Sequence, residues 1–341
     1  MNRRPSLHSS AALLLVLTLL AGALTGCIRE DLSHCPPETE GVMRIRFNFL
    51  LKKQKSGDKE NGPTSEVYRA DIYLFDTQER FVAHLSDTEG PFGEDYRLEA
   101  KLPAGSYTAV AWMNSDAEEL EMTSGFIPGQ TTLREATLRL RGLPLKTAIT
   151  RPLFHGMKEN VLIEAGKNAE AIIPIIRNTK EIRLGVRFKH ADGTPCTVPD
   201  HRKGLKPWLQ TTEGELDFLN AIHPQPLFRY APREHSETDN GFDARFTLLR
   251  LVQASDVHIQ LATPGIDGGG ETLHFSRLLT DYIRATGAYP TQESLDREES
   301  FEILLEFTCH PGSPDDTWLQ VKVTIEGWVF VDNGDQGLIV Q

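Results

Sequence analysis

The sequence predicts an all-β fold made of two tandem β-sandwiches, on three observations. Short segments with alternating apolar and polar residues recur along the chain; in one, Met43, Ile45, Phe47 and Phe49 oppose Arg44, Arg46 and Asn48. Turn-forming clusters such as Pro103-Ala104-Gly105 and Ala165-Gly166-Lys167 separate these segments at short intervals. Only one stretch, residues 276–286, spaces its apolar side chains as a helix does. A strand with one apolar face must bury it against a second sheet, so many such strands require paired sheets.

The amino terminus reads as a targeting segment rather than as part of the fold. Arg3 and Arg4 precede an apolar run, residues 11–24, of the length of a signal-peptide core. It is shorter than the roughly 20 apolar residues that span a bilayer comfortably. The run ends in Leu24-Thr25-Gly26-Cys27, the pattern of a lipobox. Small residues at Thr25 and Gly26 admit a peptidase, and Cys27 supplies the thiol that a thioether to diacylglycerol needs. Cleavage after Gly26 leaves a mature chain that begins at an acylated Cys27. Each buried methylene contributes about 0.8 kcal/mol, so two or more palmitate-like chains make the attachment stable. Residues 1–26 are assigned to a lipoprotein signal peptide, and 27–40 to a lipidated polar tether containing Cys35-Pro36-Pro37.

The full chain carries a formal net charge of −12, and losing Arg3 and Arg4 with the signal makes it −14. That balance argues against nucleic acid as a partner and against electrostatic adhesion to anionic lipid. Membrane attachment then falls to the acyl chains alone. With Cys27 lipidated, three of the four cysteines remain: Cys35, Cys196 and Cys309. Whether Cys196 and Cys309 pair stays open, with free buried thiols the preferred reading. No C-x-x-C spacing suggests a structural zinc site.

Strands of the first sandwich, residues 41–177, are expected at 43–49, 67–75, 81–85, 96–102, 106–113 and 132–140. A closing hairpin follows at 161–164 and 168–176. Residues 52–65 read as a charged loop with almost no apolar content. The alternation pauses at Arg177-Asn178-Thr179, which sets the domain boundary. In the second sandwich, residues 178–341, strands are expected at 182–188, 216–219, 244–251, 257–262, 272–275, 301–307 and 319–330. The helix at 276–286 is stopped by Gly287, and Pro290 forbids its resumption. Leu338, Ile339 and Val340 form an apolar tail at the end of the chain and need some partner.

Several stretches, taken in order, resemble one family. Residues Cys27-Ile28-Arg29-Glu30-Asp31-Leu32-Ser33-His34-Cys35-Pro36 closely resemble the mature start of FimB-type fimbrial anchor lipoproteins of Bacteroidales. Ile72-Tyr73-Leu74-Phe75-Asp76, the run from Leu102-Pro103-Ala104-Gly105 through Trp112-Met113-Asn114, and Pro152-Leu153-Phe154-His155-Gly156 look like the same family. Ile325-Glu326-Gly327-Trp328-Val329 also fits, although Asn is common where Glu326 stands. The resemblance implies transthyretin-like sandwiches and a lipoprotein of the outer membrane at the base of a surface fimbria, limiting its length. The acidic Glu30-Asp31 is similar to the surface-export signal of Bacteroidales lipoproteins, which implies an outward-facing protein. The implied partners are fimbrial stalk or accessory subunits and, through Cys27, outer-membrane lipid. Related stalk subunits assemble by lending a strand to a neighbour's sheet, which makes residues 319–330 and the tail Leu338, Ile339 and Val340 the candidate contacts.

No residue pattern points to catalysis, a metal or a cofactor. His155 reads as a turn histidine, and His201, His223, His235, His258, His274 and His310 lack ligand spacing. Asp332-Asn333-Gly334-Asp335 lacks the glutamate of a calcium loop, and Gly268-Gly269-Gly270 lacks the strand-to-helix setting of a phosphate cradle. Trp112, Trp328 and Tyr107 are expected in the core. The alternative function is a surface glycan-binding lipoprotein, which would need an exposed aromatic platform. Trp208 and Trp318 are its candidates.

Overall fold

The computed structural model describes residues 38–50, 66–93, 95–142, 145–146, 149–196, 204–265, 270–309, 321–332 and 338–340. Gly26, Cys27, the signal segment, Cys35, Trp318 and residues 333–335 lie outside the described residues.

The first sheet has the order β3 (Phe81–Asp87), β2 (Ala70–Phe75), β5 (Gly105–Met113), β9 (Phe154–Ile163), β10 (Asn168–Arg177), β1 (Glu40–Phe49), β4 (Leu98–Pro103). β9 and β10 pair only where Phe154, His155 and Gly156 meet Arg177, Ile176 and Ile175. Beyond that crease β9 follows β5, while β10 follows β1 in parallel from Val42–Asn168 to Phe49–Ile175. The two leaves bury one core, with Met43, Ile45, Ile72, Leu74, Ala111, Ile163, Ala171 and Ile173 at its centre. Gly156 is required at the crease, because any Cβ there would strike the Pro174 carbonyl. Tyr107 is buried as expected, and its hydroxyl donates to the Pro103 carbonyl at 2.8 Å.

The second sheet has the order β14 (Glu234–Thr238), β15 (Gly241–Leu249), β11 (Thr179–Lys189), β18 (Ser300–Thr308), β19 (Val321–Ile325), β20 (Trp328–Asp332), β21 (Leu338–Val340). The third is β17 (Thr272–Leu278), β16 (His258–Thr263), β12 (Lys206–Asp217), β13 (Ile222–Tyr230), β8 (Leu145–Lys146). β7 (Thr137–Leu140) pairs with β12, and β6 (Leu120–Met122) with β7. Inward residues of the second sheet (Ile182, Leu184, Phe301, Ile303) and of the third (Leu209, Phe228, Ile259, Leu261) share one core. That core also takes in Tyr73, Phe75, Val110 and Trp112, the outward face of β2 and β5. β7 and β8 precede Asn178 in sequence, yet they are hydrogen-bonded to β12 and β13, which follow it, and β6 joins the same sheet through β7.

Several elements depart from the sequence reading, each for a local reason. β12 is twelve residues long rather than residues 216–219 alone. Bulges between Thr211 and Glu213 and between Glu213 and Glu215 shift its alternation out of phase and hide it. β13 carries Pro224 and Pro226, which mask its strand character. Residues 272–278 are strand, so the expected helix shortens to α1 (Leu279–Ala285). A second helix, α2 (Gln292–Asp296), starts directly after Pro290, where the Thr291 side chain caps it by accepting from the Ser294 N–H. The strand expected at 319–330 is instead the hairpin β19–β20. Its turn residues Glu326 and Gly327 have φ of 48° and 81°. A two-residue turn with both φ positive favours Asn followed by Gly, so Glu326 holds a left-handed conformation that glutamate rarely adopts.

The first bulge of β12 sets up a pH dependence. Burial pushes the Glu213 carboxyl up to about 7. Its Oε1 accepts from the Asp256 N–H at 3.1 Å, and that bond and the nearby Ser255 hydroxyl oppose the effect of burial only in part. Between the ordinary glutamate value near 4.5 and about 7, the unfolded chain has lost this proton and the folded chain keeps it. Stability therefore falls as pH rises through that window. Glu213→Gln is expected to flatten this slope. In thermal melts it should raise Tm at neutral pH and leave it unchanged near pH 4; an equal gain at both would contradict the assignment.

Candidate interaction edge and the junction behind it

The apolar tail finds its partner within its own chain. β21 pairs antiparallel with β20, joining Phe330 to Val340, Val331 to Ile339 and Asp332 to Leu338. It forms the outermost strand of the second sheet, on an edge where only three register pairs hold it. Trp328 opens β20 beside the turn and is 48% exposed, which corrects its assignment to the core. It shares a strand face with the fully buried Phe330 but lies past the end of the core.

At the other end, β1 is paired on both sides. It runs parallel to β10 and antiparallel to β4, from Glu40–Pro103 to Ile45–Leu98. Only Asn178 separates β10 from β11, and the residues around it form a buried polar junction. The Asn178 and Asn220 amides bond reciprocally at 2.6 and 3.1 Å. Lys180 is fully buried, and its Nζ donates to the Asp296 carbonyl at 2.8 Å and to that of Glu298. Burial pushes its ammonium down to about 8, opposed by the nearby Asp296, Glu299 and Glu298 carboxylates. Arg250 forks onto Asp296 at 2.8 and 2.6 Å and also donates to the Asn220 carbonyl. Tyr289 closes the cluster, its hydroxyl donating to Glu298 at 3.0 Å.

From sequence alone, Arg177-Asn178-Thr179 reads as a pause between domains. The signal that could have revealed it is parity: Lys180 shares its phase with Ile182, Leu184 and Val186, all inward-facing. A lysine at that phase is buried and must be paired.

His155 belongs to β9 and not to a turn. It is buried against Trp112, with ring centroids 4.5 Å apart, and its Nε2–H donates to the Phe218 carbonyl at 3.1 Å. Burial pushes the imidazole down to about 4, so it is neutral at pH 7. Cys196 and Cys309 form a disulfide across a sequence separation of 113, with Cα atoms 6.8 Å apart, in place of the free thiols preferred from sequence. The bridge depends on the parallel pairing of β11 with β18, which brings the ends of both strands together. Trp208 is half-buried with the Arg229 guanidinium 5.8 Å from its ring centre, a cation–π contact within the chain. It does not present an open platform. Among the described residues, no group of three His, Cys, Asp or Glu side chains is placed to hold a metal ion.

Residues 32–334 match the family model of fimbrillin-A associated anchor proteins Mfa1 and Mfa2. The major fimbrium anchoring subunit FimB of Porphyromonas gingivalis is 24% identical over 295 residues, covering 80% of this chain and 90% of FimB. Among solved structures, the fimbrial anchor protein Mfa2 from Porphyromonas gingivalis is similar with a TM-score of 0.67 at 19% identity, covering 84% of this chain and 98% of Mfa2. A Bacteroides thetaiotaomicron protein described as a candidate polysaccharide binding protein gives 0.69 at 21% identity, covering 87% of this chain and 99% of that one. At such identities these structures show a shared fold.

Proposed function

Because the chain belongs to the family of fimbrillin-A associated anchor proteins, structural fimbrial proteins and not enzymes, we propose that it fixes the base of a surface fimbria to the outer membrane. Acylated Cys27, freed by cleavage after Gly26, supplies the membrane attachment, and Glu30-Asp31 directs the chain to the outer face. The observation that carries this reading is the position of β1. It begins at Glu40, shortly after the tether, and is already hydrogen-bonded to β10 and β4. β1 is thus an interior strand of the first sheet, flanked on both sides by strands of its own chain. A series that grows by lending strands ends at such a subunit, which limits fibre length.

The carboxyl-terminal strand offers the contact. Lifting Leu338, Ile339 and Val340 from β20 breaks three register pairs and opens a sheet edge, onto which the last stalk subunit adds a strand. The glycan-binding alternative has no comparable support, since Trp208 is engaged within the chain.

Cys27→Ala in the native host, followed by electron microscopy of cells and medium, tests the proposal. Cells are expected to lose fibres and the medium to gain long ones. A chain ending at Gly337 should stay in the membrane fraction of cells that shed their fibres. Normal fibres on cells whose membranes lack the Cys27→Ala protein would overturn the anchoring role.

A further inference from the structure

The positions of the two chain ends decide how the fold answers a pull. β1 and β10 are parallel over eight register pairs. The chain enters β1 from the tether at its amino end and leaves β10 at its carboxyl end into β11. Tension between the tether and anything beyond β10 thus drags these two strands in opposite directions along their length. Every rung of the ladder then shares the pull, whereas strands pulled apart from a common end lose their rungs one after another.

Past β10, the covalent route forks. β11 ends at Lys189, and Cys196 follows closely. Both cysteines are seated on the end of β11: the Cys196 N–H donates to the Phe188 carbonyl at 3.1 Å and the Cys309 N–H to the Lys189 carbonyl at 2.7 Å. A pull arriving at Cys309 from the carboxyl-terminal strands passes through sulfur to Cys196 and on into β11. The intervening strands β12 to β18 and both helices lie off that route.

We infer that the fold is wired to carry tension, with β1 and β10 as a clamp loaded in shear and the Cys196–Cys309 bond carrying the pull past the chain between them. The direction of the natural pull rests on the anchor reading above; the wiring is a property of the fold alone.

Single-molecule force spectroscopy on the non-acylated chain from Cys27 to Gln341 tests it. Cys35→Ser removes the spare thiol, and Cys27 and Gln341→Cys carry the handles. Full extension of the oxidised chain is expected to fall short of that in dithiothreitol by about 400 Å, at roughly 3.5 Å for each of the 113 residues spanned. Equal extension in both conditions would overturn the shunt. Moving the second handle to Ala165→Cys, in the exposed turn before β10, pulls β1 and β10 apart from one end. The rupture force should then drop at least twofold, and an equal or higher force would overturn the clamp. Neither readout involves a fibre, so loss of anchoring in cells beside an intact force signature would count against the function and not against this mechanism.

Discussion

Phe218→Ala is expected to destabilise the protein by about 3–5 kcal/mol, the range for emptying a well-packed aromatic site. Phe218 is fully buried just past β12, where the third sheet meets the outward face of the first. Its ring lies 4.9 Å from Tyr73, 5.7 Å from Phe126, 5.9 Å from Trp112 and 6.1 Å from Phe75, centre to centre. Its backbone is pinned as well, with the N–H donating to the Ala136 carbonyl at 3.1 Å and the carbonyl accepting from His155. Those bonds hold the chain in place, so the surroundings cannot collapse fully into the space the ring leaves. Urea unfolding followed by fluorescence should show the lowered midpoint. A second transition is also expected, as the first sheet uncouples from the other two. A loss under about 1 kcal/mol with one sharp transition would show that the ring does not join them.

A loss of similar size, about 3–5 kcal/mol, is expected for Asp296→Ala. The Asp296 carboxylate takes both arms of Arg250 and the Gln292 side-chain amide at 2.9 Å, and the Arg250 and Asp296 side chains are only 13% and 10% exposed. Removing it strands a desolvated guanidinium and withdraws one of the negative charges that keep the buried Lys180 protonated. The double variant Arg250→Met with Asp296→Leu should recover much of the loss, because replacing a buried pair by apolar residues is often nearly neutral. Chemical denaturation of both single variants and the double variant completes the cycle. If Asp296→Ala costs no more than a surface substitution, the junction does not hold β11 in place.

The two variants bracket what was legible in the residues. The phase of Ile182, Leu184 and Val186 announces a strand by itself, and β11 lies where that phase puts it. The same phase places Lys180 inward, yet its partners Asp296 and Glu298 lie more than a hundred residues away. Phe218 carries no mark that separates it from any other core aromatic until β12 and the first sheet are brought together. β12 itself was largely hidden, because its two bulges break the period that identifies a strand.

By itself, the sequence determined the all-β class and most strand positions, since a half-buried strand is written in neighbouring residues with a period of two. The proposal of lipidation at Cys27 likewise rests on local sequence, from Arg3 and Arg4 through the apolar run to Leu24-Thr25-Gly26-Cys27. Only the tertiary structure decided that β1 lies between β10 and β4, that Cys196 meets Cys309, and that the tail returns to β20. Those outcomes join residues distant in sequence. They are selected by which faces can be buried together, and no local period encodes that choice.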